Sequence, residues 1–235
     1  MGARFTFTPG HLGTMALFHG LPDAALNAAA RGAHLKRWAK EQCLFAQGDV
    51  ALHAHALLEG GVRITQAGSD GGQAIMRLIA PGEMFGTVAL FTNGRYPAEA
   101  VALGDTLVAS WRRDQLEALM ARYPPIAHNV IRIIGTRLQE AQNRLRELAT
   151  QRCEHRIAHV LLRLADQAGA AAAGGMAISF PLRRKDIAEL AGTTLYTASR
   201  VLTAWEKAGW LASQGQRLVI LQRSALERLA EEDSA

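Results

Sequence analysis

The sequence predicts an α+β chain in three successive parts: a β-rich N-terminal domain, one long helix, and a small helical domain that closes on a β-hairpin. Three observations carry this. Short apolar runs alternate with Gly-rich turns between residues 35 and 112. Apolar residues then recur at alternating spacings of 4 and 3 through residues 126–149. Finally, two amphipathic segments flank a glycine between Arg183 and Leu221 and lead into two short alternating runs. The expected boundaries are 1–120, 121–150 and 151–235.

Composition limits the function classes. Of 235 residues, 49% are hydrophobic and 20% charged, enough apolar matter for packed cores and unlike a disordered chain. The formal charge of +5 suits an anionic partner. Two cysteines, Cys43 and Cys153, form no disulfide framework or zinc spacing, which points to a reducing, cytoplasmic setting. No apolar run reaches the ~18 residues that span a bilayer, so no membrane role is expected. Residues 1–15 lack a secretory core, and Met1–Thr6 meets the permissive myristoylation pattern as chance often does.

The elements follow in order. Leu21-Pro22-Asp23 marks a first helix with Asp23 as its N-cap. The turns Gln47-Gly48-Asp49, Glu59-Gly60-Gly61, Ser69-Asp70-Gly71-Gly72, Ala80-Pro81-Gly82 and Thr92-Asn93-Gly94 separate strand-like pieces at even spacing. That texture fits an antiparallel sandwich, jelly roll or barrel. Cys43 falls in an apolar strand, and His53 and His55 alternate onto one strand face. Pro124 and Pro125 suit a helix start, where a missing N–H costs nothing. The seam beyond them includes Ile131, Ile134, Leu138, Ala141, Leu145 and Leu148. A stripe this narrow is a coiled-coil seam, and it predicts a homodimer through this helix. Ala168–Gly175 reads as a small-residue connector.

The C-terminal segment carries the chemistry. Residues 186–191 form a short helix, Gly192 a sharp turn, and Leu195–Lys207 a second helix capped by Thr193 or Thr194. Leu195, Ala198, Val201, Leu202 and Trp205 are expected inward, with Ala188 small enough for close helix approach. Tyr196, Thr197, Ser199, Arg200 and Thr203 then face outward. Gly209 ends the helix, and Trp210–Ala212 and Leu218–Leu221 pair around 214–216. Helix, turn, helix and hairpin make a winged helix-turn-helix. A polar helix face fits the major groove of double-stranded DNA, and basic groups at its rim fit phosphates. Arg183, Arg184 and Lys185 at the first helix, together with Arg217 in the wing, are the expected rim. Residues 151–222 hold nine Lys and Arg against five Asp and Glu, whereas 223–235 is an acidic tail.

With these motifs the chain resembles the cyclic-AMP-receptor / fumarate-nitrate-reductase regulator (CRP/FNR) family of bacterial transcription factors. The resemblance spans about Leu21 to Leu221. It rests on Gln47-Gly48-Asp49 with Leu57–Val62, on Pro81–Gly86 through Ala89-Leu90-Phe91 and Gly94, and on Ile187-Ala188, Ala191–Thr194 and Ser199–Leu202. It implies a cyclic-nucleotide-binding-like jelly roll that senses a small effector, a dimer helix and a winged helix on a palindromic operator. RNA polymerase is an expected further partner.

Departures shape the expected effector. Cyclic-AMP-binding members carry Glu where this chain has Thr87, and Arg-Ser where it has Pro97-Ala98. The charge-assisted bonds that anchor a cyclic nucleotide are therefore missing. Gly86, Thr87, Arg95, Pro97 and Ala98 would line the pocket, with an effector other than cyclic AMP. An iron–sulfur cluster needs four thiolates. The family's carbon monoxide sensors place Cys and His where Gly86 and Val88 stand. Arg95–Ala100 looks more like the nitric-oxide and nitrogen-oxide branches, and eight histidines leave haem open. His155 and His159, spaced i, i+4, read as exposed helix residues. At the recognition helix, Tyr196 replaces a common Glu and Ser199-Arg200 is retained.

Two other classes find less support. An enzyme is not expected: no Ser/His/Asp order, Gly-Lys-Ser/Thr loop or HExxH is present. A signalling module acting on a partner protein would lack a use for the wing and for Arg183-Arg184-Lys185.

Overall fold

The computed structural model describes residues 7–69, 72–172, 174–215 and 217–231. The Met1–Thr6 pattern and the wing residue Gln216 lie outside them. In chain order come α1 (Pro9–Gly13), a 3-10 turn (Ala16–Phe18), α2 (Asp23–Gly32), β1 (His34–Trp38), β2 (Cys43–Phe45), β3 (His53–Glu59), β4 (Val62–Ala67), β5 (Gln73–Ile79), β6 (Met84–Phe85) and α3 (Thr87–Leu90). They are followed by β7 (Glu99–Ala102), β8 (Thr106–Arg112), α4 (Arg113–Arg122), α5 (Pro125–Thr150), α6 (Cys153–Ala168), β9 (Gly169–Ala172) and β10 (Gly175–Ile178). The chain closes with α7 (Arg184–Leu190), α8 (Leu195–Lys207), β11 (Leu211–Gln214), β12 (Arg217–Ile220) and α9 (Arg223–Glu231). The α+β class, the long helix and the C-terminal helix-turn-helix agree with the sequence reading.

Two compact units emerge. The first comprises Met1–Val62 and Pro81–Gln139. One of its sheets runs β1-β8-β3-β6, all neighbours antiparallel, and β2 pairs with β7. Trp111 anchors the core: its ring lies 5.4 Å from that of Phe18, and its Nε1 donates to the Ala29 carbonyl at 2.8 Å. Asn129 on α5 donates to the carbonyls of Leu17 and His19 and so pins the N-terminal turn. Asp23 proves to be the first helical residue of α2 and Pro22 its cap: Pro22 is extended at φ −69° and ψ 156°, and its carbonyl accepts from Leu26 N at 3.2 Å.

The second unit comprises Arg63–Ala80 and Glu140–Ala235. Its sheet runs β11-β12-β10-β9, and β4 and β5 pair with each other. The Ala- and Gly-rich stretch expected as a connector forms β9 and the start of β10. Close approach explains the glycine at 175, since a Cβ there would collide with the Ile220 carbonyl oxygen. The acidic tail folds as α9 through Glu231, burying Ala225 and Leu226.

Candidate nucleic-acid interface and effector pocket

The interface is built on α7 and α8. Asp186, buried, accepts from the Arg183 backbone N at 2.9 Å and from its guanidinium, fixing the start of α7. Arg63 on β4 also lies 3.7 Å from Asp186. Gly192 takes φ +60°, a left-handed conformation cheap only for glycine, and a Cβ there would strike Leu148. Thr193 N donates to the Ala188 carbonyl at 2.9 Å, closing the turn. Thr194 is the N-cap of α8, accepting from Thr197 N at 3.1 Å. Ala198, Val201, Leu202 and Trp205 face inward as expected. Leu195 does not: it is 51% exposed. As the first helical residue it stands ahead of the stripe that α8 packs.

The structure separates the candidate DNA contacts into two groups. Arg184 is held inside the motif: it donates to the Ser199 carbonyl at 3.0 Å, to Thr203 Oγ1 at 2.7 Å and to Glu206 at 2.7 Å. Arg183 is engaged with Asp186, and the Thr194 and Thr197 hydroxyls bond each other at 2.9 Å. By contrast, Tyr196 is 79% exposed and Arg200 is exposed one turn later, each without a side-chain partner among the described residues. Ser199 is half-buried beside them. Lys185 is exposed and only 3.7 Å from Glu189, and Arg217 is exposed in the wing opposite Gln214.

On α5 the seam is bare. Ile131, Ile134, Leu138, Ala141, Leu145 and Leu148 are all exposed in the single chain. Leu138 at 60% and Leu145 at 69% are as open as surface residues. Other α5 residues are spent on the chain itself: Ile126 and Val130 in the first unit, Arg144 and Glu147 in the second.

Of the expected effector residues, Gly86 lies against an aromatic cluster that the sequence did not reveal. Gly86 precedes α3 and lies beside His55 and Tyr96. Thr87 is buried, and its Oγ1 has no hydrogen-bond partner among the described residues. Ala98 is buried and Pro97 exposed. Arg95 is exposed and donates to the Gly48 carbonyl at 2.7 Å. Phe45 stacks on Tyr96 at 3.7 Å between ring centroids, and Phe85 stacks on His55 at 5.2 Å.

His55 organises that cluster. Tyr96 donates its hydroxyl proton to the His53 carbonyl at 2.7 Å, and burial raises its pKa. Its oxygen can then accept from His55 Nε2 at 3.3 Å, leaving Nδ1 to accept from Ser110 Oγ at 2.8 Å. Burial, with His53 adding to it, lowers the His55 pKa to about 3, so the ring is neutral. The two histidines alternate along β3 as expected, with rings 6.1 Å apart. Elsewhere, His155 is buried rather than exposed, because it shares the α6 stripe of Ala158 and Leu161. Among the described residues no group of three or more His, Cys, Asp and Glu is placed to hold a metal. Cys43 is exposed on β2, and partial desolvation with the nearby charges of Glu99 and Asp49 raises its pKa, which favours the thiol over the thiolate.

Comparisons with known proteins agree with this architecture. A cyclic nucleotide-binding domain model matches residues 35–123, and a Crp-like helix-turn-helix domain model matches residues 155–229. The chain is 33% identical to the "Cyclic AMP receptor protein" of Thermus thermophilus, covering 91% of this chain and 96% of that one. It is 31% identical to the "Nitrogen fixation regulation protein FixK" of Azorhizobium caulinodans, covering 82% of this chain and 77% of that one. The solved structure of FixK2 from Bradyrhizobium japonicum superposes with a TM-score of 0.74 at 27% identity, covering 86% of this chain and 98% of that one. No helix among the described residues is long and apolar enough to cross a membrane. With its two domain types in this order and its full-length relatives, the chain belongs to the CRP/FNR family of transcription regulators.

Proposed function

We propose that the protein is a cytoplasmic homodimer that binds a two-fold symmetric operator through α8 and acts with RNA polymerase, without catalytic activity of its own. The observation that carries this reading is the division of labour within the helix-turn-helix. Arg184, Thr197 and Thr203 brace the motif, while Tyr196 and Arg200 are presented outward. Recognition helices contact base edges from their N-terminal residues, and an arginine grips guanine O6 and N7. Lys185 and Arg217 supply charge for phosphates, and the bare α5 seam supplies the dimer contact.

The effector in this reading is a small molecule other than cyclic AMP, bound at the N-terminal domain, and not an iron–sulfur cluster. Thr87, Pro97 and Ala98 offer no charge for a ribose or a cyclic phosphate, and two cysteines cannot supply four thiolates. Haem is the second reading, favoured by the number of histidines. His55 does not serve it, because both of its ring nitrogens are engaged.

Footprinting on a selected duplex tests the central part. Two protected half-sites about 10–10.5 bp apart are expected. Affinity should fall steeply with salt as phosphate contacts release counterions. Salt-independent binding to a protein partner, with no protected duplex, would overturn it. Calorimetric titration with cyclic AMP tests the effector: micromolar binding that strengthens operator affinity would refute its exclusion. A Soret band in the purified protein would establish haem.

A further inference from the structure

Helix α5 passes into α6 through a joint of two residues, Gln151 and Arg152. From Glu140 onward α5 belongs to the second unit, together with α6, α7 and α8. Glu147 on α5 accepts from Arg163 Nη1 on α6 with both carboxylate oxygens, at 2.8 and 3.0 Å. Arg156 on α6 donates to the Gln151 carbonyl at 2.6 Å and to the Ala191 and Gly192 carbonyls at 2.8 and 3.2 Å. One guanidinium thus holds both the joint and the turn that leads into α8. Leu148, at the end of the seam, fills the space that a Cβ on Gly192 would need.

Glu147 is the unusual member of this set. Arg146 and Leu148 beside it are exposed, whereas Glu147 is 5% exposed. Burying a carboxylate is costly, and a well-packed apolar pair of similar volume is often as stable as a buried ion pair. What the ion pair adds is a fixed geometry, the use for which buried pairs are best attested. Here it fixes the angle at which the helix-turn-helix leaves the seam. In a two-fold dimer that angle sets the separation of the two copies of α8. Resting on the proposed dimeric DNA-reading role, we infer that Glu147 and Arg163 are positioning residues that set the half-site spacing of the operator, by locking the DNA-reading motif to the end of the dimer helix.

The test uses the full-length chain and the operator it selects from random duplexes, resynthesised with its centre lengthened or shortened by about 1 and 2 bp. Each base pair shifts the half-sites by about 3.4 Å and turns them by about 35°. Two sites joined by a stiff linkage gain roughly 10²–10⁴-fold only where both can engage, and a loose joint spreads that gain over neighbouring spacings. In fluorescence anisotropy a single base-pair change should therefore weaken parent binding by about tenfold or more. Glu147→Leu with Arg163→Met should cut that penalty to about twofold, bind the original operator more weakly, and bind a duplex with a single half-site like the parent. Glu147→Arg with Arg163→Glu, which rebuilds the pair in reverse, should restore the spacing preference. Should the apolar pair fail to fold, Glu147→Gln, isosteric and uncharged, should lower the penalty to about threefold.

An apolar pair, or Glu147→Gln in its place, that kept the parent's spacing penalty would overturn the inference. So would a folded charge-reversed pair as tolerant of spacing as the apolar one, or a parent indifferent to spacing. In those outcomes the selected site would still be two-fold symmetric, and the DNA-reading role of α8 would stand. A chain that selected no two-fold duplex would sink that role and this inference together.

Discussion

Arg184 and Glu206 are joined by a 2.7 Å ion pair that ties the first turn of α7 to the last turn of α8. Ser213 on β11 donates to the other oxygen of the same carboxylate, also at 2.7 Å. One carboxylate thus links both helices to the wing. The arginine expected at the phosphate rim is a brace that sets where α8 and β11 stand relative to each other.

Arg184→Ala and Lys185→Ala should therefore behave differently. Arg184→Ala should lower stability by about 1–2 kcal/mol in urea unfolding, the value for bonds to a charged group discounted for solvent screening of a half-exposed pair. Lys185→Ala should leave stability unchanged, weaken binding to all sequences and flatten the log–log salt slope by about one unit for each phosphate it no longer neutralises. Equal salt slopes and equal stability losses for the two variants would contradict the distinction.

His55 makes stability depend on pH. Its pKa is lowered to about 3 in the folded chain, below the ordinary histidine value of 6.5. Between those values the unfolded chain binds the extra proton, so stability is fully present above about pH 6.5 and is lost as pH falls toward 3. At pH 4.5 the loss relative to neutral pH is about 2–3 kcal/mol, each pKa unit being worth about 1.4. Urea unfolding of the parent and of His55→Phe at pH 7 and 4.5 measures it. An equal pH slope in both would show that His55 is not the group.

The exposed seam predicts the assembly state. Leu138→Glu with Leu145→Glu would place like charges across a two-fold helix pair, and sedimentation should then report a monomer. A surviving dimer would place the interface elsewhere.

Arg144 fastens the β4–β5 pair within the second unit. Its guanidinium donates to the carbonyls of Ile75 and Met76 on β5 and of Glu189 on α7. Burial, with Arg163 adding to it, pulls the Arg144 pKa below the ordinary arginine value. Gln167 adds a bond to the Leu78 carbonyl at 2.7 Å. Arg144→Met should speed amide exchange across Gln73–Ile79 by about tenfold, roughly the loss of one charge-assisted bond. Unchanged exchange would show that packing alone holds the strands.

The local signals of the DNA-reading motif were legible in the sequence, and its long-range partnerships were not. Helix α8 runs over Leu195–Lys207 as its periodicity predicts, with Gly192 and Gly209 both in the left-handed region at its flanks. The Arg184 brace was hidden because its partners lie 15 to 22 residues away. The exposure of Leu195 was missed because periodicity places it in phase with Ala198 and Val201, although a first-turn residue can outrun the packing. In the N-terminal domain, the spacing of His53 and His55 shows a shared face. It cannot show that Phe45, Phe85, Tyr96 and Ser110 converge on that face, because β2, β6, β8 and the loop carrying Tyr96 meet only through strand pairing and folding. Helix α4 and strand β9 were missed as well. The first has one buried residue, Leu116, and the second is a Gly-Ala run with weak strand preference.

The central claim is that α8 reads operator sequence through Arg200. Selection from random duplexes by the parent and by Arg200→Ala, followed by titration of the parent's preferred site, tests it most directly. The parent should select a two-fold symmetric site. Arg200→Ala should bind that site more weakly by about 1–3 kcal/mol per half-site and lose its preference at one guanine. An Arg200→Ala chain that selected the same sequence and bound it with the same affinity would contradict the claim.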